Sequence, residues 1–226
     1  MNARDDVLAR VRHALADVPD GERPEDVPVD RRYSAGGTPP AGSADVVRLL
    51  VERLADYGAS VRLVTAGQVA AAVARAVSAR DARSVVVPRG FPPQWQAGLA
   101  AERVLSDEPR LPVEELDRVG GAVTTVATAI ADTGTLVLDG GPGQGRRVLT
   151  LVPDFHLCVV RADQIVASVP EALARLDPLR PLTFVSGPSA TSDIELDRVE
   201  GVHGPRTLEA LVICDPLVPP DRSMES

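Results

Sequence analysis

The chain has 226 residues, a formal net charge of −8 and 44% hydrophobic residues. This length predicts one domain with an appendage or at most two small domains, and the hydrophobic content excludes a wholly disordered chain. The negative charge argues against a nucleic-acid partner, which usually binds a basic surface. The sequence contains neither an apolar run of the length of a membrane helix nor a signal peptide, so we expect a cytoplasmic protein.

Several residue types are scarce enough to exclude whole classes of chemistry. All 24 basic residues are arginine, which excludes Schiff-base chemistry, covalent attachment of pyridoxal phosphate and the lysine of a P-loop. Cys158 and Cys214 are the two cysteines, and both lie in apolar runs where buried side chains are expected. Two cysteines are fewer than the four thiolates of an iron–sulfur cluster, and the three histidines include no HExxH motif or closely spaced pair, so we expect neither a cluster nor a tetrahedral zinc site. We therefore predict no metal site and no cofactor bound by this chain.

The N-terminal part of the chain predicts a tethered helix. Residues 3–16 place apolar side chains on one face at helical spacing, with acids first and Arg and His last. Residues 17–42 are rich in proline and glycine and predict a linker. Residues 1–42 are thus expected to form a helix and a linker ahead of the main domain.

From Ser43 onward the pattern alternates between helices and strands. The predicted elements are a helix capped by Ser43 and reaching Tyr57, a strand over 60–64, a helix over 66–79 capped by Thr65, a strand over 84–88, a helix opened by Pro92 and Pro93, and a short helix over 112–116. This alternation predicts βαβ units and a parallel sheet. The following part holds several short strands and a helix near 169–176, which indicates a mixed sheet or a strand-rich extension. We predict an α/β domain over 43–215 and a C-terminal tail over 216–226.

Two glycine-containing segments in the middle of the chain are candidates for anion binding. In the first, Asp132, Thr133, Gly134 and Thr135 precede a strand, where glycine lets backbone amides approach an anion and Asp132 could orient a hydroxyl or a base. A tight turn that starts the strand is the more common interpretation. The second segment, residues 140–147, could be an anion-binding flap with glycine hinges and the two guanidinium groups of Arg146 and Arg147, although a flexible hairpin loop is favoured.

The remaining candidates follow later strands. His156 stands where a strand begins, and could be a general base, although a histidine bonded to backbone is commoner. The densest segment runs into a Ser/Gly/Thr turn suited to phosphate or carboxylate, and it contributes Ser186, Gly187, Ser189, Thr191 and Asp193. His203 and Gly204 follow in a glycine-rich run, where the imidazole could reach a cleft.

Four motifs together carry a resemblance to a known family. They are ADTGTLVL (131–138), the run from Gly145 to His156, SGPSATSDIE (186–195) and GVHGPR (201–206). In this combination the chain resembles the lactate utilisation protein C (LutC/YkgG) family, whose domain is called the LUD domain. The resemblance implies a Rossmann-like mixed sheet flanked by helices, similar to the NagB/RpiA/CoA-transferase-like fold. It also implies oxidation of L-lactate to pyruvate alongside partner proteins that carry iron–sulfur clusters.

Three functional hypotheses remain open from the sequence. In the first, the chain is a subunit of a lactate-oxidising oxidoreductase complex and offers a small-anion pocket for a carboxylate or phosphate. There Asp132, His156 or His203 would act in catalysis, and the ligand-binding residues would be Thr133, Gly134, Thr135, Arg146, Ser186, Gly187, Ser189, Thr191, Asp193 and Gly204. In the second, the chain is a non-catalytic assembly or regulatory subunit. In the third, it is a stand-alone enzyme related to CoA-transferases or sugar-phosphate isomerases.

Overall fold

The computed structural model describes residues 3–19, 21–23, 26, 39–80, 82–99, 103–191, 199–200 and 204–214. Contacts divide the chain into two compact units, residues 1–33 and 34–226. In the first unit, α1 (Ala3–Ala14) carries acids in its first turn and Arg12 and His13 in its last, as the helix dipole favours. Most of the predicted linker and the whole predicted tail lie outside the described residues.

The second unit contains five α-helices and twelve strands among its described residues. The helices are α2 (Ala44–Asp56), α3 (Val69–Ser78), α4 (Pro93–Gln96), α5 (Val113–Leu116) and α6 (Val169–Arg175). The strands are β1 (Ser60–Val64), β2 (Ser84–Val86), β3 (Arg103–Leu105), β4 (Gly121–Thr125), β5 (Thr128–Ile130), β6 (Thr135–Leu138), β7 (Phe155–Arg161), β8 (Ile165–Val166), β9 (Thr183–Val185), β10 (Ala190–Thr191), β11 (Val199–Glu200) and β12 (Thr207–Ile213).

A six-stranded sheet forms the centre of this unit. Its order is β1-β12-β7-β4-β2-β3, and every neighbouring pair is parallel. The central strand β7 reads FHLCVVR and is buried at its first six residues, as expected for a strand covered on both faces. One face packs Leu157 and Val159 against α3, and the other packs Cys158 and Val160 against α2. The predicted α/β fold with a parallel sheet is confirmed.

Four strands of the second half form a separate mixed sheet. Its order is β8-β5-β6-β9, with β5 antiparallel to β6, β6 antiparallel to β9, and β5 parallel to β8. Ala129, Leu136 and Ile165 of this sheet share one hydrophobic core with α2 and with the α2-facing side of the parallel sheet. The mixed character predicted from the sequence therefore belongs to this second layer, while β10 and β11 form a small antiparallel pair.

Two predicted features of the helices and strands differ in detail from the structure, namely the cap at Ser43 and the end of β2. Ser43 occupies the N-cap of α2 with an extended backbone, but its side chain makes no capping hydrogen bond. Thr65 does form a capping box with Gln68, and it begins a short 3₁₀ helix over Ala66–Gln68 that leads into α3. Strand β2 ends at Val86, earlier than predicted, although the amide of Val87 still donates to the carbonyl of Leu105 at 2.8 Å.

Candidate functional site

Two cavities adjoin in the second unit. The smaller cavity, of about 210 Å³, lies where β9 ends and where β7 and β12 begin. The larger cavity, of about 880 Å³, lies beyond the carboxyl ends of β2 and β3. They adjoin because the register pairs Val86 of β2 with Ala122 of β4, and Ala122 with His156 of β7. The carboxyl end of β2 therefore lies at the level of the first residues of β7.

One wall of the smaller cavity is the turn Ser186–Ser189 that follows β9. Gly187 has φ +104°, and a Cβ atom there would lie 2.7 Å from the Cβ atom of Tyr57. Glycine is therefore required for the turn to approach the end of α2. The amide of Ser189 donates to the carbonyl of Pro205 at 2.8 Å, which joins this turn to the segment leading into β12.

The ADTGT turn meets the Ser186 turn directly. Thr133 Oγ1 lies 2.7 Å from Thr135 Oγ1, which in turn lies 2.7 Å from Ser186 Oγ. Gly134 has φ +57°, and a Cβ atom there would lie 2.8 Å from the Cβ atom of Arg53. Three hydroxyl groups from segments more than fifty residues apart thus form one chain of hydrogen bonds leading to the cavity wall.

Arg147 and Thr150 line both cavities. They lie on the 3₁₀ helix Arg147–Thr150 just before β7, where Arg147 Nη1 donates to the carbonyl oxygen and to Oγ1 of Thr150, at 2.7 and 3.1 Å. Burial lowers the pKa of Arg147, but a guanidinium stays protonated in proteins. The shared wall of the two cavities therefore carries a positive charge.

His156 lies beneath the smaller cavity and is completely buried. Its Nε2 atom lies 2.8 Å from Thr124 Oγ1 and 3.1 Å from Cys158 Sγ. Burial and the nearby charge of Arg147 lower the pKa of His156 to about 3, and burial raises the pKa of Cys158 to about 12. At neutral pH this cluster therefore consists of a neutral imidazole, a thiol and a hydroxyl.

The larger cavity is walled by the glycine-rich segment 140–147, which is pinned in place. The amide of Gly143 donates to the carbonyl of Arg89, and the carbonyl of Gly143 accepts from the amide of Thr125, both at 2.8 Å. Gln144 Oε1 accepts from the amide of Asp139 at 2.6 Å. The predicted hairpin is wrong, because the segment joins β6 of the mixed sheet to β7 of the parallel sheet. Hydrogen bonds hold it to Arg89 after β2, to Thr125 at the end of β4 and to Asp139 after β6.

Arg146 supports the larger cavity through an ion pair with Asp107. Its Nε and Nη2 atoms donate to the two carboxylate oxygens at 2.6 and 2.8 Å, and Nη2 also donates to the carbonyl of Leu111 at 2.6 Å. Burial raises the pKa of Asp107, but hydrogen bonds from Arg146 and Leu111 and the charges of Arg146 and Arg110 outweigh it, so the pKa is lowered. Asp107 is therefore ionised, and the pair is a fixed part of the wall.

The predicted site residues divide between these regions. Five of them line the smaller cavity, namely His156, Ser186, Gly187, Ser189 and Gly204. Thr133, Gly134 and Thr135 lie behind it, and Arg146 lines the larger cavity. Asp132 is exposed at the turn before β6, where its amide donates to the carbonyl of Ala167 at 3.0 Å. Thr191 pairs with Val199 between β10 and β11, whereas Asp193 and His203 lie outside the described residues.

The prediction of the site from the sequence missed several residues that shape it. Thr150 lines both cavities, Thr124 contacts His156, and Arg180 lines the larger cavity while donating to Asp139 at 2.6 Å. The adjacent pair Arg146 and Arg147 was a visible signal in the sequence, but which of the two faces the smaller cavity depends on the 3₁₀ helix between them and β7. Thr124 gave no local signal, since its contact with His156 depends on strand register.

The described residues contain neither a cluster of metal ligands nor a helix suited to a membrane. No three His, Cys, Asp or Glu side chains within the described ranges come together as a group that could hold a metal ion. Likewise, none of the described helices combines the length and the apolar character that crossing a membrane would require.

Comparisons with known proteins identify relatives over most of the chain. Residues 113–213 match the LUD domain. A lactate utilization protein C of Deinococcus radiodurans is 44% identical over 93% of this chain and 95% of that protein, and one of Geobacillus kaustophilus is 30% identical over 67% and 71%. A crystal structure of a DUF162 family protein from Deinococcus radiodurans is 40% identical, with a TM-score of 0.64, over 77% of this chain and all but 1% of that one. The resemblance read from the motifs is thereby confirmed, and the chain belongs to the lactate utilization protein C family of LUD-domain proteins.

Proposed function

We propose that this protein acts in the utilisation of L-lactate, as a subunit that binds a small carboxylate while partner proteins carry the redox centres. Two kinds of evidence support the proposal. The relatives are named for lactate utilization, and the wall of the smaller cavity combines the positive charge of Arg147 with hydroxyl groups. The resemblance to the family implies that the partner proteins carry iron–sulfur clusters. The two cysteines of this chain agree with that proposal, because they are fewer than the four thiolates that a cluster generally needs.

The observation that carries the proposal is the position of Arg147 in the wall of the smaller cavity. A guanidinium binds a carboxylate through two parallel hydrogen bonds. The same cavity is lined by Ser186 and Ser189, and serine hydroxyl groups can both donate to and accept from the 2-hydroxyl of lactate or donate to the 2-oxo group of pyruvate. A volume of about 210 Å³ is below the roughly 300–1,000 Å³ typical of pockets for drug-sized ligands, and so favours a ligand of only a few heavy atoms.

Oxidation of lactate to pyruvate releases two electrons and two protons, one from the hydroxyl group and one from carbon 2. In this proposal the iron–sulfur partners accept the two electrons, the two protons pass to solvent, and this chain binds and orients the carboxylate. With a pKa of about 3, His156 is a weak base near neutral pH. A carboxylate on Arg147 would offset the positive charge that depresses this pKa, so bound substrate raises the basicity of His156.

Titration calorimetry with L-lactate and pyruvate tests the binding step on the purified chain. We expect Arg147→Gln to weaken binding at least tenfold, because it removes the guanidinium from the cavity wall. Arg118→Gln is the matched control, since Arg118 is an exposed arginine next to α5, and it should leave binding unchanged. If the wild-type chain binds neither anion, or if both variants weaken binding equally, the proposed pocket is refuted.

Growth on L-lactate as the sole carbon source tests the pathway assignment in the native host. A strain lacking this gene should fail to grow on L-lactate and still grow on pyruvate. The wild-type gene should restore growth, and the gene encoding Arg147→Gln should not. Growth of the deletion strain on L-lactate at the wild-type rate would contradict the assignment.

One observation favours a non-catalytic variant of this role. His156 and Cys158, the reactive side chains in and beneath the smaller cavity, are both completely buried and both neutral at neutral pH. A subunit that only binds lactate or pyruvate, and reports it to the partners, needs no proton transfer by either group. In that case His156→Gln would retain lactate-dependent growth, whereas a direct role of His156 in proton transfer predicts its loss.

A further inference from the structure

The larger cavity differs from the smaller one in size and in the composition of its wall. Its volume of about 880 Å³ falls within the range of pockets that hold cofactor-sized ligands. It lies beyond the carboxyl ends of two parallel strands, which is where open α/β sheets bind ligands. Part of its wall is apolar and is formed by Pro88, Leu138, Leu149, Pro142 and Pro181.

Arginine dominates the charge of this cavity. Five of the 24 basic residues of the chain line it, namely Arg89, Arg110, Arg146, Arg147 and Arg180. Asp107 and Glu108 also line it, and Asp139 stands behind Arg180. The five arginines therefore exceed the three carboxylates by two charges, in a chain whose formal net charge is −8. A cleft lined by an excess of positive charge attracts anions.

Four of the five arginines form a fixed pair and a rim pair, and the fifth, Arg147, lies in the wall shared with the smaller cavity. Arg146 and Arg180 donate to Asp107 and Asp139 at 2.6–2.8 Å, which holds both guanidinium groups in place. Arg89 is the opposite case, because its side chain is 80% exposed and its Nη1 atom lies 3.6 Å from Glu108. Such a surface pair is weak, so Arg89 can turn towards a ligand at little cost. Arg110 is exposed near Asp107 on the same rim.

The backbone of the cavity is set by close contacts at two glycines. A Cβ atom at Gly90 would lie 2.7 Å from Pro142 Cβ, and one at Gly145 would lie 2.6 Å from Leu149 Cδ1. Both residues have positive φ, and together they bring the segment after β2 against the segment 140–147. Arg89 is thus carried on a backbone segment that is held by packing against the segment 140–147, whereas Arg110 lies on the segment between β3 and α5.

From this arrangement we infer that the larger cavity is a binding site for a phosphorylated ligand of nucleotide size, which carries at least two negative charges. The phosphate groups bind Arg89 and Arg110 at the rim, where guanidinium groups match phosphate oxygens in pairs. The remainder of the ligand packs against the apolar wall formed by the prolines and leucines. The excess of two positive charges corresponds to the charge of a phosphate monoester or diphosphate at neutral pH.

This inference does not depend on the lactate proposal, because the rim arginines do not line the smaller cavity. Its test uses three probes on the purified full chain, namely ADP, inorganic pyrophosphate and adenosine, by titration calorimetry at low salt. We expect ADP to bind most tightly, pyrophosphate to bind more weakly because it lacks the apolar part, and adenosine to bind least. Raising the salt concentration should weaken the binding of ADP, as it does for contacts between exposed charges.

Variants then assign the binding to this cavity. The double variant Arg89→Gln/Arg110→Gln should weaken the binding of ADP at least tenfold. A matched double variant, Arg48→Gln/Arg118→Gln, removes two exposed arginines elsewhere and should leave the affinity within twofold. Because all four positions are exposed, each variant should unfold at the temperature of the wild type. The inference is overturned if neither phosphorylated probe binds, if adenosine binds as tightly as ADP, or if the two double variants have the same effect.

Discussion

The turn at Gly134 offers a sharp test of the contact that joins the ADTGT motif to α2. Gly134 and Gly140 adopt similar left-handed conformations, with φ +57° and +69°. They differ in their surroundings, because a Cβ atom at Gly134 would lie 2.8 Å from Arg53 Cβ and 2.9 Å from the Arg53 carbonyl carbon, whereas at Gly140 the nearest atom is 3.7 Å away. Alanine should therefore be strained at both positions, but should clash only at Gly134.

The expected free energies of unfolding follow from these two terms. Left-handed backbone costs an alanine about 1–2 kcal/mol, and this cost is common to Gly134→Ala and Gly140→Ala. Overpacking adds about 1–3 kcal/mol at Gly134, because the nearest atoms are the Cβ, carbonyl carbon and carbonyl oxygen of Arg53, which are fixed by the backbone of α2 and cannot turn away. Gly134→Ala should thus destabilise the protein by about 2–5 kcal/mol.

Equilibrium unfolding in urea, with matched slopes, measures both variants against the wild type. A slope that stays constant shows that the change lies in stability and not in the compactness of the unfolded chain. If Gly134→Ala costs no more than Gly140→Ala, the close approach of the turn to α2 does not exist, and the hydroxyl chain from Thr133 to Ser186 loses its structural basis.

Three further predictions concern charge. Folding lowers the pKa of His156 from an ordinary 6.5 to about 3, so the unfolded chain binds more protons below pH 6.5 and the free energy of unfolding falls as the pH drops from 6.5 towards 3. His156→Gln should reduce the slope of this fall by up to about 1.4 kcal/mol per pH unit. His13→Gln, at an exposed position of α1, should leave the slope unchanged. Arg146→Lys should lower the free energy of unfolding by about 1–3 kcal/mol, because lysine cannot bind both oxygens of Asp107, and an unchanged urea midpoint would contradict the paired geometry. ADP and pyruvate should each weaken the binding of the other by the same factor, since both anions lie near the charge of Arg147. Calorimetry with one ligand at saturation measures this factor, and a factor of one would contradict an electrostatic coupling between the two cavities.

Local patterns in the sequence determined much of the fold. The continuous β-branched run at 84–88 predicted a strand covered on both faces, as in a parallel sheet, and the run at 60–64 predicted a short strand. Thr65 marked a helix start through the conformation that it favours. The family resemblance also rested on local motifs, which is why it could be recognised before the fold was known.

The arrangement of the candidate site depends on contacts between distant segments, and only the tertiary structure decided it. Thr135 and Ser186 are neighbours because β6 and β9 pair within the second sheet. From the sequence, His156 could be a general base or a histidine bonded to backbone. In the structure it lies beside the side chains of Thr124 and Cys158, and it is buried because the second sheet and α2 cover its face of the parallel sheet. Arg146 and Arg147 are adjacent in sequence, but one is fixed to Asp107 while the other lies between the two cavities. Residue type set the chemistry that each segment could offer, whereas strand pairing and burial set which groups meet and which of them are charged.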